Sequence, residues 1–584
     1  MTAVLEDPFR PLSVLHDAPT RVYEDPHQPV GEPPSSRAAM LRLPKHAQDR
    51  WSSSLDEELG ALKIKTVFGP SVSYGEREPG VPVIHTNTIF TKKAPDHEGR
   101  VRLKARLVAL GNQEPLDPEE RTASPTIIPA MIKIMAAVGL TRQLEERGSH
   151  LPSGPTTMTA FDIATAFLNG DMEDKRTYVS FMDSSGRTIT APLIKPLYGL
   201  RVAPLRWHEK FTADVAAFGL RPFKLNPCVY TNDDSSILLG LHVDDGFLVA
   251  SAADRDRFLS FLRTRYGDSG VTAHDMQAGP RIYCGVRWTY EATSHTFRLD
   301  QHDTITQLLE DFGMLSKRPA SIPAPSGAQL LLDPEAGPDP RFQQLVGRLL
   351  WISASTRADI AWATKELCRH TLHTSSTHWT YARQVLSYLA GSVSEVQVLR
   401  PASNFDLRAW ADSSYAESDD RRSSSGIVIS LGPNAIYWKA FTQTNVATSS
   451  CQAELNGFFE AALLVDFYRA CLSFLGARQG LPTPLHVDSM SALQLLAKRV
   501  PAGRSKHVGV RYFHILDCID RDQLMLQWVS TTSMIPDVLT KPLARVAFQS
   551  CIRPMLDGRM PTPERSARSV TGTTGTLSAP KPRE

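Results

Sequence analysis

"LLGLHVDDGFLVA", residues 238–250, sets two aspartates side by side inside an apolar run. Adjacent like charges repel, and in a low-dielectric setting one of the two keeps its proton. A bound divalent cation removes that conflict, because Mg²⁺ is held by carboxylates together with substrate phosphates. The simpler reading is a hairpin, since Asp245-Gly246 between two apolar strands is a short turn signal. The two readings are compatible if the hairpin tip presents Asp244 and Asp245 to a metal.

Upstream, "TMTAFDIATAFLNGDM" (157–172) reads as a short buried strand with Asp162 near its end, then one helical turn over "ATAFL", stopped by Asn169-Gly170. A lone aspartate at a strand end is most simply a cap. Two strands that each deliver a carboxylate to one point make a two-metal phosphoryl-transfer site. "VRLKARLVAL" (101–110) alternates polar and apolar residues, as a half-buried strand does, so Arg102, Lys104 and Arg106 share a face.

The rest of the chain sets limits. Its 584 residues exceed what one core supports, so two to four domains are expected. A hydrophobic share of 42%, a charged share of 22% and a net charge of +2 are ordinary for a globular protein, so any nucleic-acid surface must come from local clusters of Lys and Arg. The seven cysteines are scattered without a CxxC pair, which argues against a zinc site or a disulfide framework and fits a reducing compartment. No apolar run spans a membrane and no signal-peptide pattern opens the chain. Forty-two prolines cluster in residues 1–48, in a break at 319–340 and towards a Ser/Thr/Pro/Arg tail.

Longer ordered matches then decide the reading. "RWSSSLDEELGALK" (50–63), "GRVRLKARLVALGNQ" (99–113), "TASP" (122–125), "LIKPLYGLRVAPLRWHEKF" (193–211) and "GLRPFKLNPCVY" (219–230) stand in order around the two aspartate segments. Together they resemble the reverse transcriptase and RNase H region of the Pol polyprotein of copia-type LTR retrotransposons. The resemblance implies a right-hand polymerase with fingers, palm and thumb. It makes Asp162 and Asp244 metal ligands and Asp245 a third palm carboxylate. Lys104 and Arg106 would meet the incoming triphosphate, Phe167 would crowd the sugar 2′ carbon, and Gly199 with Pro204 would turn beneath the templating base pair. The chain departs from the family pattern at His242, usually Tyr, at Val202, commonly Gln, and at Leu110, usually Lys.

Beyond the break, "FQQLVGRLLWISASTRADIAWATKELCRH" (342–370) has helical periodicity and resembles the family's connection segment. "NFDLRAWADSSYAESDDRRSSSGIVISLGPNAIYWKA" (404–440) gives three strands, at 405–411, 426–431 and 434–439. "SSCQAELNGFFEAALLVDFYRACLSFL" (449–475) is a long helix with Glu454 in its first turn. A strand ending at Asp488, a helix, a strand and a helix start at Asp537 follow. This order is the RNase H arrangement, and it puts Asp412, Glu454, Asp488 and Asp537 at element ends that meet at one sheet edge. Singly, Glu454 suits a helix N-terminus and Asp488 an N-cap. Together they suit hydrolysis of an RNA phosphodiester with two metal ions. His507, in "RSKHVGVRYFHI" (504–515), reads as structural or backbone-contacting.

The whole reads as a multidomain α/β and α+β chain. The expected divisions are a disordered lead at 1–48, reverse transcriptase at 49–318, a linker at 319–340, a helical connection at 341–403, an RNase H-like domain at 404–548 and a disordered tail at 549–584. The expected activities are RNA- and DNA-templated DNA synthesis and ribonuclease H. The alternatives are a decayed remnant that folds and binds nucleic acid, or a metal-dependent nuclease with only the second site active. Expected cofactors are Mg²⁺, with Mn²⁺ as the other candidate, two ions per site. Expected partners are an RNA template, a DNA primer, RNA/DNA hybrid and dNTPs, with no membrane. The expected location is the cytoplasm, in a virus-like particle, or the nucleus. The sequence shows no protease triplet, zinc knuckle or integrase module, so a Pol fragment or degraded copy is expected.

Overall fold

The computed structural model describes residues 21–93, 98–115, 121–147, 152–172, 177–325, 330–402, 405–499, 506–562 and 569–570, without the side chains of 506–508 and 569. The chain divides into two compact units. Unit one comprises residues 1–126, 162–221 and 260–272; unit two comprises 127–161, 222–259 and 273–584.

Unit one is built on a four-stranded sheet in the order Leu103–Ala109, Val83–Lys92, Tyr178–Met182, Thr188–Pro192. The alternation read from the sequence holds here: Leu103, Ala105, Leu107 and Ala109 are buried, while Lys104 and Arg106 take the other face. Helix Lys45–Ile64 buries Trp51, Leu55 and Leu62. Its Ser54 Oγ donates to the Leu103 carbonyl and accepts from the Ala105 amide, tying the helix to the strand. Residues 21–48 differ from the expected disordered lead. The Val22 amide donates to Glu57 Oε2 at 3.2 Å, and Val30 and Met40 are buried. Isolated apolar residues in a Pro-rich stretch carry no periodicity, yet each finds a place beside the helix and sheet. Residues 1–20 lie outside the described residues.

Unit two includes the hairpin of Leu238–His242 and Asp245–Ser251, which are neighbours in a six-stranded sheet. Strand Thr156–Ile163 lies beside Asp245–Ser251 in that sheet order. Helix Pro129–Glu145 opens on a proline suited to a first turn and is apolar nearly all round, as a fully buried helix is. A second sheet runs Asn434–Thr442, Ser424–Leu431, Leu407–Ser414, Thr483–Val487, Leu524–Trp528, Ser569–Val570. The first three strands are antiparallel, and Leu407–Ser414, Thr483–Val487 and Leu524–Trp528 are mutually parallel neighbours. Helix Ser450–Phe474 buries Phe458, Ala461, Ala462 and Val465.

Helices Pro340–Ser355, Ala361–Cys368 and Ser376–Ala390 fill the segment between. The described part of the expected linker is tied down: the Ala320 amide donates to Ser387 O, Gln384 Nε2 to Ile322 O, and Ala324 and Leu330 are buried. Helix Arg545–Leu556 runs into the expected tail and buries Ile552, Met555 and Leu556. Residues 571–584 lie outside the described residues. Among the described residues, no helix is long and apolar enough to cross a membrane.

One lysine sits inside this packing. Lys133 is 5% exposed, donates to the Ser355 carbonyl at 2.7 Å and lies 4.2 Å from the Trp438 ring centroid. Burial pushes its pKa down to about 7. The unfolded chain therefore holds this proton between about pH 7 and the ordinary lysine value while the folded chain has lost it, and stability rises with pH across that window. Lys133→Met is expected to stabilise the protein at neutral pH by ~2 kcal/mol and to flatten that pH dependence. Denaturant midpoints from neutral to alkaline pH check this; a less stable variant would contradict it.

Candidate functional site

Four carboxylates meet at one edge of the second sheet. Asp412 sits on the central strand Leu407–Ser414, and Glu454 is the fifth residue of helix Ser450–Phe474. Glu454 thus begins the second turn rather than lying in the first, because the helix starts at Ser450 behind an Ser449 cap. Asp488 follows the strand Thr483–Val487, and Asp537 opens the short helix Asp537–Thr540. Oxygen atoms of Asp412, Glu454 and Asp488 all lie within 4.8 Å of one another. Asp537 lies close enough for its charge to act on the Asp412 carboxyl.

The surroundings partly hold this charge. Thr540 Oγ1 donates to Asp412 Oδ2 at 2.6 Å, and Thr531 Oγ1 donates to Asp488 Oδ2 at 2.9 Å. Lys541 Nζ lies 3.0 Å from Asp537 Oδ1. Burial works against the Lys541 charge, yet Asp412, Asp537 and Asp488 outweigh it and hold its pKa above the usual lysine value. Burial and then Asp537 push Asp412 up to about 6, and burial, Asp412 and Asp488 push Glu454 well above the usual carboxylate range. Asp488 and Asp537 are raised as well, burial first. Lys541, Thr540 and Thr531 were not singled out in the sequence. The spacing of Lys541 from Asp537, four residues on, was the available signal.

Asp244 and Asp245 belong to unit two, where the hairpin turns differently from the sequence expectation. His242 pairs with Asp245, so the two-residue turn is Val243-Asp244 rather than Asp245-Gly246. Val243 has φ +60°, an outlier for a β-branched residue, of the kind that clusters at functional sites. Gly246 serves packing instead. A Cβ there would stand 2.0 Å from the Phe161 ring, which covers it. Tyr283 Oη donates to the Asp245 carbonyl at 3.3 Å, and burial followed by the Asp245 charge pushes the neighbouring Cys284 thiol up to about 12.

The remaining candidates lie in unit one. Asp162 is half-buried at the end of its strand, and the expected helical turn is a 3₁₀ turn, Ala166–Asn169, entered through Thr165 at φ +56°. Phe167 is half-buried, and its ring meets Tyr198 edge-on at 5.9 Å. The Arg106 guanidinium stands 5.7 Å from the same Tyr198 ring. Gly199 has φ +90°, and a Cβ there would come 2.1 Å from the Ala109 carbonyl oxygen. Phe167, Arg106 and Gly199 are thus gathered around Tyr198, which the sequence reading did not single out. Lys104 is held below the usual lysine range by burial and then by Arg106 and Arg102, a crowding of cations that an anion relieves. Arg102, expected on the same face, is ion-paired with Glu57. Lys65 donates to Asn169 Oδ1 at 2.8 Å and is lowered by burial and then by Lys195.

Residues 77–326 match the family described as reverse transcriptase (RNA-dependent DNA polymerase). This stretch is a reverse transcriptase domain. Lys104, Arg106, Asp162, Phe167, Gly199, Asp244 and Asp245 all fall inside it. The chain as a whole resembles copia-type Pol polyproteins. It is 27% identical over 536 residues to the retrovirus-related Pol polyprotein from transposon RE2 of Arabidopsis thaliana, covering 86% of this chain and 34% of that protein. It is 28% identical over 539 residues to the counterpart from transposon TNT 1-94 of Nicotiana tabacum, covering 89% and 38%. The chain therefore spans about a third of the length of these relatives. The likeness continues well past the reverse transcriptase domain, into the segment that carries the acidic centre.

Proposed function

We propose that the chain is an RNA- and DNA-templated DNA polymerase joined to a ribonuclease H. In this reading residues 49–318 form fingers, palm and thumb, 341–403 a helical connection, and 404–548 an RNase H-like domain. The observation that carries it is the strained Val243-Asp244 turn within the matched domain, which holds two carboxylates beside each other. Asp162 would complete that set.

The donor sets suit Mg²⁺ or Mn²⁺, since both are carboxylate oxygens alone. At the acidic centre burial and then the neighbouring carboxylates raise the carboxyls, and a divalent cation would offset both. Asp162, Asp244 and Asp245 would hold ions for synthesis, and Asp412, Glu454, Asp488 and Asp537 for hydrolysis. Such ions lower the pKa of an attacking oxygen and stabilise charge on the leaving group. The chain's own residues do the rest. Lys104 and Arg106 draw in the triphosphate, the Gly199 turn lies under the templating pair, and Lys541 offsets part of the charge on Asp537. RNA, DNA primer, hybrid and dNTPs are the partners, within a cytoplasmic particle or the nucleus.

Primer extension on an RNA template, run alongside degradation of the RNA in a hybrid, tests the proposal. Both activities are expected with Mg²⁺. The departures at His242 and Val202 leave a decayed remnant as one alternative, and the other is a nuclease whose second site alone acts. Hydrolysis without extension would select it, and absence of both would select a decayed remnant.

Phe167 gives a sharper test. If its ring bounds the sugar pocket, Phe167→Val opens space for a 2′-hydroxyl. The variant is expected to incorporate ribonucleotides at least about tenfold better relative to deoxyribonucleotides, at a stability cost of ~1 kcal/mol, because the ring is only partly buried. Competition between rNTP and dNTP in single-turnover extension reads this. Lost stability with unchanged sugar selection would make the ring packing only.

A further inference from the structure

We propose that Asp466, His514 and Cys518 form a site for a divalent ion of the zinc class, clamping helix Lys506–Asp520 to helix Ser450–Phe474. His514 and Cys518 are four residues apart on one helix, so they share a face one turn apart. Asp466 comes from the other helix. The three ligand atoms all lie within 4.8 Å of one another. Cys518 Sγ is 3.6 Å from Asp466 Oδ2 and 3.6 Å from His514 Nε2. A tetrahedral ion with bonds of about 2.3 Å to sulfur and about 2.0 Å to nitrogen or oxygen sets such pairs about 3.5 Å apart. The side chains thus stand at ligand spacing.

A second observation points the same way. Asp466 Oδ1 is buried with no hydrogen-bond partner, and an unpaired buried carboxylate oxygen is costly. A thiol that donates to Asp466 and accepts from the His514 ring accounts for both short sulfur contacts. It leaves Oδ1 unanswered. The Phe459 ring meets the His514 imidazole edge-on at 5.3 Å and fixes its plane. Arg521 Nη2 stands 3.9 Å from Asp466 Oδ2 and 3.9 Å from Cys518 Sγ, and pairs with Asp517 at 2.7 Å.

The mixed nitrogen, sulfur and oxygen donors select a zinc-class ion, where the all-oxygen acidic centre selects Mg²⁺ or Mn²⁺. On binding, the Cys518 S–H bond breaks, the sulfur pair forms the bond to the ion, and the proton leaves to solvent. Two negative ligands then balance the double charge, with water in the fourth position. The absence of a CxxC pair argued against zinc in the sequence. These ligands come from two helices rather than from one knuckle, a spacing that no CxxC pair marks.

The test uses the full chain, stripped with chelator and titrated with Co²⁺ or Zn²⁺. The wild type is expected to bind one equivalent of Co²⁺ that shows a thiolate-to-cobalt charge-transfer band, is displaced by Zn²⁺, and raises the melting temperature. Glu454→Gln should keep the band, because the acidic centre offers no thiolate. Cys518→Ser should lose it, and His514→Gln should weaken binding more than tenfold. His514→Gln carries the test if Cys518→Ser does not fold. No charge-transfer band in the wild type, or a band that survives Cys518→Ser or is equally strong in His514→Gln, would overturn the site.

Discussion

Asp244→Asn is expected to lower primer extension by at least about a thousandfold, some 4 kcal/mol of barrier, while leaving hydrolysis of RNA in a hybrid near its wild-type rate. The substitution removes one negative charge and little else. Asp244 is the second residue of a two-residue turn whose first residue, Val243, is already held at φ +60°. Asparagine is at home in such turns, so the hairpin should persist. The acidic centre draws its carboxylates from Asp412, Glu454, Asp488 and Asp537, on other elements. Hydrolysis therefore reports whether the variant is folded. Equal loss of both activities would mean one shared site or a failed fold, and unchanged extension would remove Asp244 from the chemistry.

That turn also marks where the sequence stopped being legible. The Asp245-Gly246 signal for a hairpin was sound, but the turn falls two residues earlier. Gly246 is there for the Phe161 ring, a contact far along the chain that no local pattern reveals. Where a pattern is set by one strand against one core, the reading held: Leu103–Ala109 alternates as its side chains require. Helix Pro129–Glu145 escaped because a helix buried on nearly every side has no polar stripe. The four acids of the second sheet were readable from their order among strands and helices. Their supports, Thr531, Thr540 and Lys541, become visible only when strand and helix ends meet. The same holds for Tyr198, around which Arg106 and Phe167 gather. Residues 21–48 were misread because docking of single side chains such as Val30 and Met40 needs the helix they pack against.

Glu454→Gln should do the converse of the first substitution, stopping RNA hydrolysis while DNA synthesis persists, and should also make the metal-free protein more stable. Glu454 is buried beside Asp412 and Asp488, and burial followed by their charges pushes its pKa well above the usual range. A carboxyl whose folded pKa is raised binds its proton more tightly folded than unfolded. Its penalty is absent below the ordinary carboxylate pKa, grows as pH climbs towards the folded value, and is complete above it. Asp412, pushed up to about 6, adds to the same trend. Glutamine keeps the shape, removes the charge and relaxes Asp412, so a gain of ~2 kcal/mol at neutral pH is expected in chelator. Added Mg²⁺ should stabilise the wild type more than the variant, because the wild type has more repulsion to relieve. Thermal melts in chelator, from mildly acidic to mildly alkaline pH, should show the variant's advantage over the wild type growing with pH. A variant that is less stable than wild type at the alkaline end would show that Glu454 is held by contacts other than a cation site. Retained hydrolysis would show that the acidic centre does not cut RNA.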